Sequence, residues 1–364
     1  MLIWDAHLDL AFNALNANRN LLDPVNKIRE KEALKENVVP SGWGQAEGTT
    51  AFPEMRKARV AVSFATLLAG VAVEPRPHVD FETVYQAYGI ARGHMAYYQA
   101  LEKSGLVRIL TDIESLNSHM TDWERWDSLE NADEISSPPL GFIINMEGTD
   151  PIMGPEELHE WWALGQRILM PGHFGPGRYT GGTGTTLPLN EMGKALLKEA
   201  DQLGMILDVN HLSDQAFWQA LDCFKGRILA SHSNARTLVP GQRQLADDQL
   251  KAIIDRQGVI GVCPDVWMLE ENWNIGVGTN ENVNLNTLVD HIDHICQIAG
   301  NSAHVGLGTD LDGGYGYQQC PNDLNTIVDL QKIPALLTAR GHSQEDLTNI
   351  MYRNYYRLIQ DAWK

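Results

Sequence analysis

Basic residues are in short supply: 28 Lys and Arg stand against 47 Asp and Glu, a formal net charge of −19 with the 12 histidines neutral. Phosphate backbones are held by clustered cations that release counterions, so this balance excludes a nucleic-acid binder and disfavours anionic membrane surfaces. Cysteine is sparse too. Cys223, Cys263, Cys296 and Cys320 lie 40, 33 and 24 residues apart, which provides neither a disulfide framework nor the C-x-x-C pairs of zinc and redox sites. No apolar run reaches the roughly 18 residues of a spanning helix. The first ten residues carry Asp5 and Asp9 without a basic start, unlike a secretory signal. These absences lead us to expect a cytoplasmic protein with reduced, mostly buried thiols. What remains is ordinary for a folded chain, 43% hydrophobic and 21% charged over 364 residues. That length suits two domains of about 150 residues, or one (β/α)8 barrel of about 250 residues extended by insertions.

The pattern decides for the barrel. Short runs of β-branched and aliphatic residues predict strands at 2–4, 60–67, 140–145, 167–170, 205–209, 227–230, 259–262 and 304–308. Amphipathic stretches separate them, which is the signature of βα units around a parallel sheet. Helices are expected over 83–103 with Gly105 as a stop, from an N-cap at Ser213, over 284–298, and from Ser343 to about Trp363 with Asp346 at capping-box spacing. The expected architecture is a (β/α)8 TIM-type barrel, one domain over 1–364 with long βα loops. Three connections exceed the usual few residues. Segment 18–53 holds a charged helix-like stretch at 26–34 and then Gly-rich chain; 121–139 is an acidic connection with a solvated face; 270–286 is an irregular lid. His291 and His294 read as surface residues, Trp161 and Trp162 as core, and Gly181–Gly184 as a flexible loop, since no Gly-Lys-Ser/Thr follows to make a phosphate cradle.

In such a barrel chemistry sits at the C-terminal strand ends. Those ends run into His7 and Asp9, Glu147, His173, Asn210 and His211, Ser231 and His232, and Asp310. Any one of these histidines taken alone reads equally well as a structural, hydrogen-bonded residue. Together, four histidines and three carboxylates on one rim are the ligand chemistry of zinc-like metals. His7 and Asp9 point the same way at i and i+2. A structural zinc would close with four ligands, often cysteine; none is near, and there are more ligands than one ion needs. Two metals sharing a carboxylate fit better.

The segments around these residues resemble the membrane (renal) dipeptidase family of binuclear zinc peptidases, in the amidohydrolase superfamily. Asp5-Ala6-His7-Leu8-Asp9-Leu10 is similar to that family's D-G-H-N-D-L, Met146-Glu147-Gly148 to its E-G-G, and 207–213 to its D-L-S-H-V-S; 230–236 and 306–313 belong to the same likeness. The resemblance implies that His7 and Asp9 bind a first metal, His211 and His232 a second, and Glu147 bridges them where superfamily relatives use a carboxylated lysine. It also implies that His173 faces the scissile carbonyl oxygen, Arg243 meets the substrate carboxylate, and Asp310, rather than Asp312, is the acid/base.

The expected activity is therefore that of a hydrolase, a metalloprotease of the dipeptidase kind. It would use two divalent metal ions, zinc by preference, to activate the attacking water, with Asp310 moving its proton. Dipeptides, including those with D- or unusual C-terminal residues, would be the small-molecule partner; no nucleic acid or membrane is implied, and a homodimer is left open. The alternative is another amidohydrolase reaction on a carboxylate-bearing substrate, opening a lactam or lactone or deacylating an N-acyl amino acid. The chain departs from the family pattern at 171–186, reading Leu169-Met170-Pro171-Gly172-His173-Phe174 where the family often reads T-L-T-H-N. The pocket wall should therefore differ where the metal site does not.

Overall fold

Eight buried aliphatic runs pair in parallel because helices cover them outside and side chains fill them inside. In the computed structural model, which describes residues 1–35 and 43–364, they are β1 (Ile3–Leu8), β2 (Val60–Leu68), β3 (Leu140–Glu147), β4 (Gln166–Met170), β5 (Ile206–Asp208), β6 (Ile228–Leu229), β7 (Ile260–Val262) and β8 (Val305–Leu307). The ladder runs β7-β8-β1-β2-β3-β4-β5-β6. A parallel bridge between Ala230 and Ile260 joins its two edges and closes the ring. All eight expected strands are present, and the (β/α)8 barrel is the fold.

The outer helices start within one residue of the expected positions. Thr83 and Gln86 form a capping box for Val84–Lys103, Ser213 caps Asp214–Cys223, and Asn284 caps Leu285–Ala299. The charged segment near the start is the helix Val25–Ala33; part of the Gly-rich continuation, 36–42, lies outside the described residues. The barrel's lower half is plugged from the C-terminal helix. Tyr355 is fully buried against Trp4 and Phe64, and Gly306 leaves room for its ring, since a Cβ there would lie 2.4 Å from it.

Three expectations need correction. The acidic connection is helical to Asp127, in Ile113–Asp127, because Leu116, Met120 and Trp123 form a buried stripe behind its charges. The last helix runs unbroken from Gln344 to Ala362 as expected, with one turn of wider hydrogen bonding at Asn349–Arg353. His291 is buried, with Nδ1 accepting the Ala235 N–H. Gly181–Gly184 is pinned rather than free. Gly182 N–H donates to the Gly175 carbonyl and Thr183 N–H to that of His173. The sequence pattern also missed a short strand, Val107–Ile109, beside β3, and a two-stranded pair, Gly70–Val71 with Asp80–Phe81, just past β2.

Candidate metal centre

Each strand end delivers its polar side chain to the mouth of the ring. His7 lies on β1, Glu147 ends β3, His173 follows β4, and His211 and His232 follow β5 and β6; Asp9 and Asp310 follow β1 and β8. Two further buried aspartates fix these turns. Asp5 accepts the His7 and Thr309 N–H groups and the Thr309 hydroxyl, tying β1 to β8. Asp208 accepts the Asn210 and Ser231 N–H groups and the Asn145 amide, tying β5 to β6 and β3. His211 and Asp310 hold φ of 61° and 55°, a left-handed backbone that His and Asp tolerate better than most residues.

The seven expected residues converge. Glu147 divides its carboxylate: Oε2 lies 3.3 Å from His7 Nε2, while Oε1 lies 3.4 Å from His211 Nε2 and 3.8 Å from His232 Nε2. His7 Nε2 is also 3.8 Å from Asp9 Oδ1 and 3.7 Å from Asp310 Oδ1, and His211 and His232 face each other at 3.2 Å. The other ring nitrogens are held by hydroxyls. Thr183 meets His211 Nδ1 at 2.9 Å, and Ser231 meets His232 Nδ1 at 2.7 Å and His7 Nδ1 at 3.4 Å. This leaves every Nε2 aimed inward. Thr66 on β2 hydrogen-bonds Asp9.

The donor set fits divalent cations. His7 Nε2 and Glu147 Oε2 are buried without a hydrogen-bond partner, a costly state that an ion would relieve. Burial drives Asp9 up to about 7 and Glu147 to about 8, and Asp310 well above the usual carboxylate range with Asp9 and Glu147 adding to it. Burial lowers His7, His211 and His232, so they stay neutral and able to coordinate. Asp312 is elsewhere. Its carboxylate accepts from Thr49 and Thr50 and sits 3.6 Å from Arg19.

The centre opens into a cavity of about 380 Å³ that also reaches Arg243, Asp265, Trp267 and Tyr315. Arg243 is nearly buried, donating to Ser233 Oγ and the His232 carbonyl, both at 2.9 Å. Ile275 of the expected lid lines the same cavity. Sequence reasoning missed Asp265, which burial pushes up to about 7. It follows β7 as Cys263-Pro264-Asp265, so reading that strand end as the others were read would have found it. Sequence reasoning also missed Arg76, in the Pro-flanked loop after β2, whose Nη2 lies 3.1 Å from His173 Nδ1; nothing local marks it.

Among the described residues no helix is long and apolar enough to cross a membrane. A family model described as Membrane dipeptidase (Peptidase family M19) matches residues 1–364. An uncharacterized protein in the pqqA 5′ region of Klebsiella pneumoniae is 31% identical over 234 residues, 62% of this chain and 83% of that one. Dipeptidase tcpJ of Claviceps purpurea is 28% identical over 228 residues, 58% of this chain and half of the relative's own length. Among solved structures, the dipeptidase AC, a metallo peptidase, superposes with a TM-score of 0.76 at 24% identity, and a Rhodobacter sphaeroides metallo peptidase liganded with a phosphinate mimic of L-Ala-D-Ala does so at 22%; each covers 100% of this chain and 99% of the other. At those identities the likeness is one of fold.

Proposed function

The chain belongs to the membrane dipeptidase family, and from that premise we propose a binuclear metallo-dipeptidase whose two ions are held by His7 with Asp9 and by His211 with His232, Glu147 bridging. The observation that carries this reading is the divided Glu147 carboxylate, with one oxygen toward His7 and the other toward His211 and His232. When bound, two divalent cations, zinc by preference, supply an activated water and polarise the carbonyl it attacks.

This chain's own residues do the rest. Asp310, whose carboxylate lies within 4.0 Å of both His7 and His232, takes the proton of the attacking water and returns it to the leaving amine. His173 donates to the oxygen that gains charge. Arg243 grips the free C-terminal carboxylate, which restricts the site to substrates ending one residue past the scissile bond. The cavity volume of about 380 Å³ suits a dipeptide.

Metal-stripped protein reloaded with zinc is offered L-X-L and L-X-D dipeptides beside N-acyl amino acids, lactams and lactones, with metal content measured on the same sample. About two ions per chain and hydrolysis of dipeptides are expected. One ion or none in an active sample overturns the binuclear reading, and intact dipeptides beside an opened lactone or lactam overturn the peptidase reading. Arg243→Ala should raise KM for dipeptides about ten-fold or more with a smaller loss in kcat; an equal effect on a substrate lacking the carboxylate counts against its role.

A further inference from the structure

Among the described residues, His173 is the one inward-facing histidine whose second nitrogen meets no hydroxyl. Thr183 and Ser231 can donate or accept, so they leave the tautomers of His211, His232 and His7 to be set by whatever meets Nε2. Arg76 meets Nδ1 of His173, at 3.1 Å from Nη2, and a guanidinium only donates. Nδ1 must then carry the lone pair, and a neutral ring must carry its proton on Nε2. That nitrogen faces the centre, 3.7 Å from Glu147 Oε1.

The arginine is itself built in. Its Nε and Nη2 donate to the two oxygens of Asp80, at 2.6 and 2.9 Å, and its own N–H also donates to Asp80. Asp80 is half of the short strand pair, Gly70–Val71 with Asp80–Phe81, that closes the loop. Gly70 is required there, because a Cβ would lie 2.2 Å from Asp80 Oδ1. Asp150 fastens this loop to the wall after β4 by accepting the N–H groups of Val71 and Arg178. The guanidinium also lies over Phe174, beside His173.

The tautomer decides what His173 can be. Its nitrogens, with Glu147 and His211, are close enough together to hold a metal ion as a third cluster. An Nε2 lone pair would make His173 a ligand and remove it from the carbonyl oxygen. An Nε2–H cannot coordinate, and it donates where negative charge develops. We propose that Arg76, held by Asp80, is a positioning residue that locks His173 as the tautomer protonated at Nε2, keeping it a donor to the substrate and not a ligand of the metals. The proposal rests on the dipeptidase reading for its kinetic consequence, and on the geometry alone for the tautomer.

The test has two arms. In metal-free protein labelled with nitrogen-15 histidine, with the His173 signals assigned by their loss in His173→Asn, wild type should show an unprotonated Nδ1 and a protonated Nε2, and Arg76→Ala should show mixed or reversed protonation. A wild-type His173 protonated at Nδ1 overturns the proposal without needing any variant to fold. In the zinc-loaded enzyme, losing an oriented donor costs about 10²-fold in kcat. Arg76→Ala should therefore lose kcat by about ten-fold or more with KM nearly unchanged, and Arg76→Lys, which still only donates, should recover most of it. Arg76→Ala at wild-type kcat overturns the proposal. Absence of hydrolysis by zinc-loaded wild type would instead refute the dipeptidase reading and leave the tautomer arm to decide for itself.

Discussion

Asp310 and Asp312 leave the last barrel strand two positions apart, yet one faces the histidines and the other is consumed by the chain. Asp310 lies 3.7 Å from His7 and 4.0 Å from His232. Asp312 accepts two N–H groups and a hydroxyl from Thr49 and Thr50 and lies 3.6 Å from buried Arg19, which Glu32 pairs at 2.7 Å. Their substitutions should separate accordingly. Asp310→Asn is expected to lower kcat about 10²- to 10⁴-fold while metal content and melting temperature hold. Asp312→Asn should lower stability by about 2–3 kcal/mol with a much smaller loss in kcat. Measuring kcat and thermal unfolding on both variants checks this, and the reverse pattern would exchange the two roles. The likeness of 306–313 to the family's segment is what favoured Asp310. Why Asp312 is unsuitable was not legible, because its partners sit more than 260 residues away in sequence.

At the scale of elements, legibility followed how local the cause is. Strand positions and helix caps depend on neighbours within a few residues, and all eight strands and the caps at Ser213 and Ser343 were readable. His291 was misplaced because a helical period says which face it shares, not that Ala235 waits across the gap for its Nδ1. The segment after β4 was misread for the same reason: glycines suggest freedom, whereas here they permit contact. A Cβ on Gly182 would lie 1.9 Å from the His173 carbonyl oxygen and 2.9 Å from that of Gly175, and both are backbone atoms that cannot rotate away. Gly182→Ala should therefore pry 173–175 from 181–183, moving His173 and the Thr183 hydroxyl on His211 together. The expected result is weaker retention of metal, a loss in kcat, and a stability cost of about 1–3 kcal/mol. Gly89→Ala is the control. It sits exposed in Val84–Lys103 with nothing near its Cβ, and should gain about 0.5–1 kcal/mol. Metal content by elemental analysis and unfolding midpoints decide, and a Gly182→Ala protein that keeps its metal and kcat refutes the contact argument.

Across the whole molecule, a small part of the surplus of acid is drawn into one place where it works against the fold. Asp9 and Glu147 are buried and Asp310 is partly buried within one cavity, and their carboxyls are pushed up, to about 7 and about 8 for the first two. Without cations their folded pKa values exceed the unfolded values near 4, so the folded state binds more protons between those limits. The stability they contribute is complete below about pH 4 and is lost progressively as pH rises from there to 7 to 8, by about 1.4 kcal/mol per pH unit for each group over that range. Divalent ions keep the carboxylates ionised and cancel this loss. His94, His119 and His291 act with the opposite sign. Burial holds each at about 4, so they stabilise above pH 6.5 and cost stability as pH falls toward 4, with or without metal. Because they contribute equally to both forms, the difference in melting temperature between zinc-loaded and chelated protein isolates the carboxylates. That difference should widen steadily from pH 6 to pH 8, chiefly because the chelated protein weakens. A difference that stays constant or narrows over the same range would mean that the buried carboxylates are not what the metals neutralise.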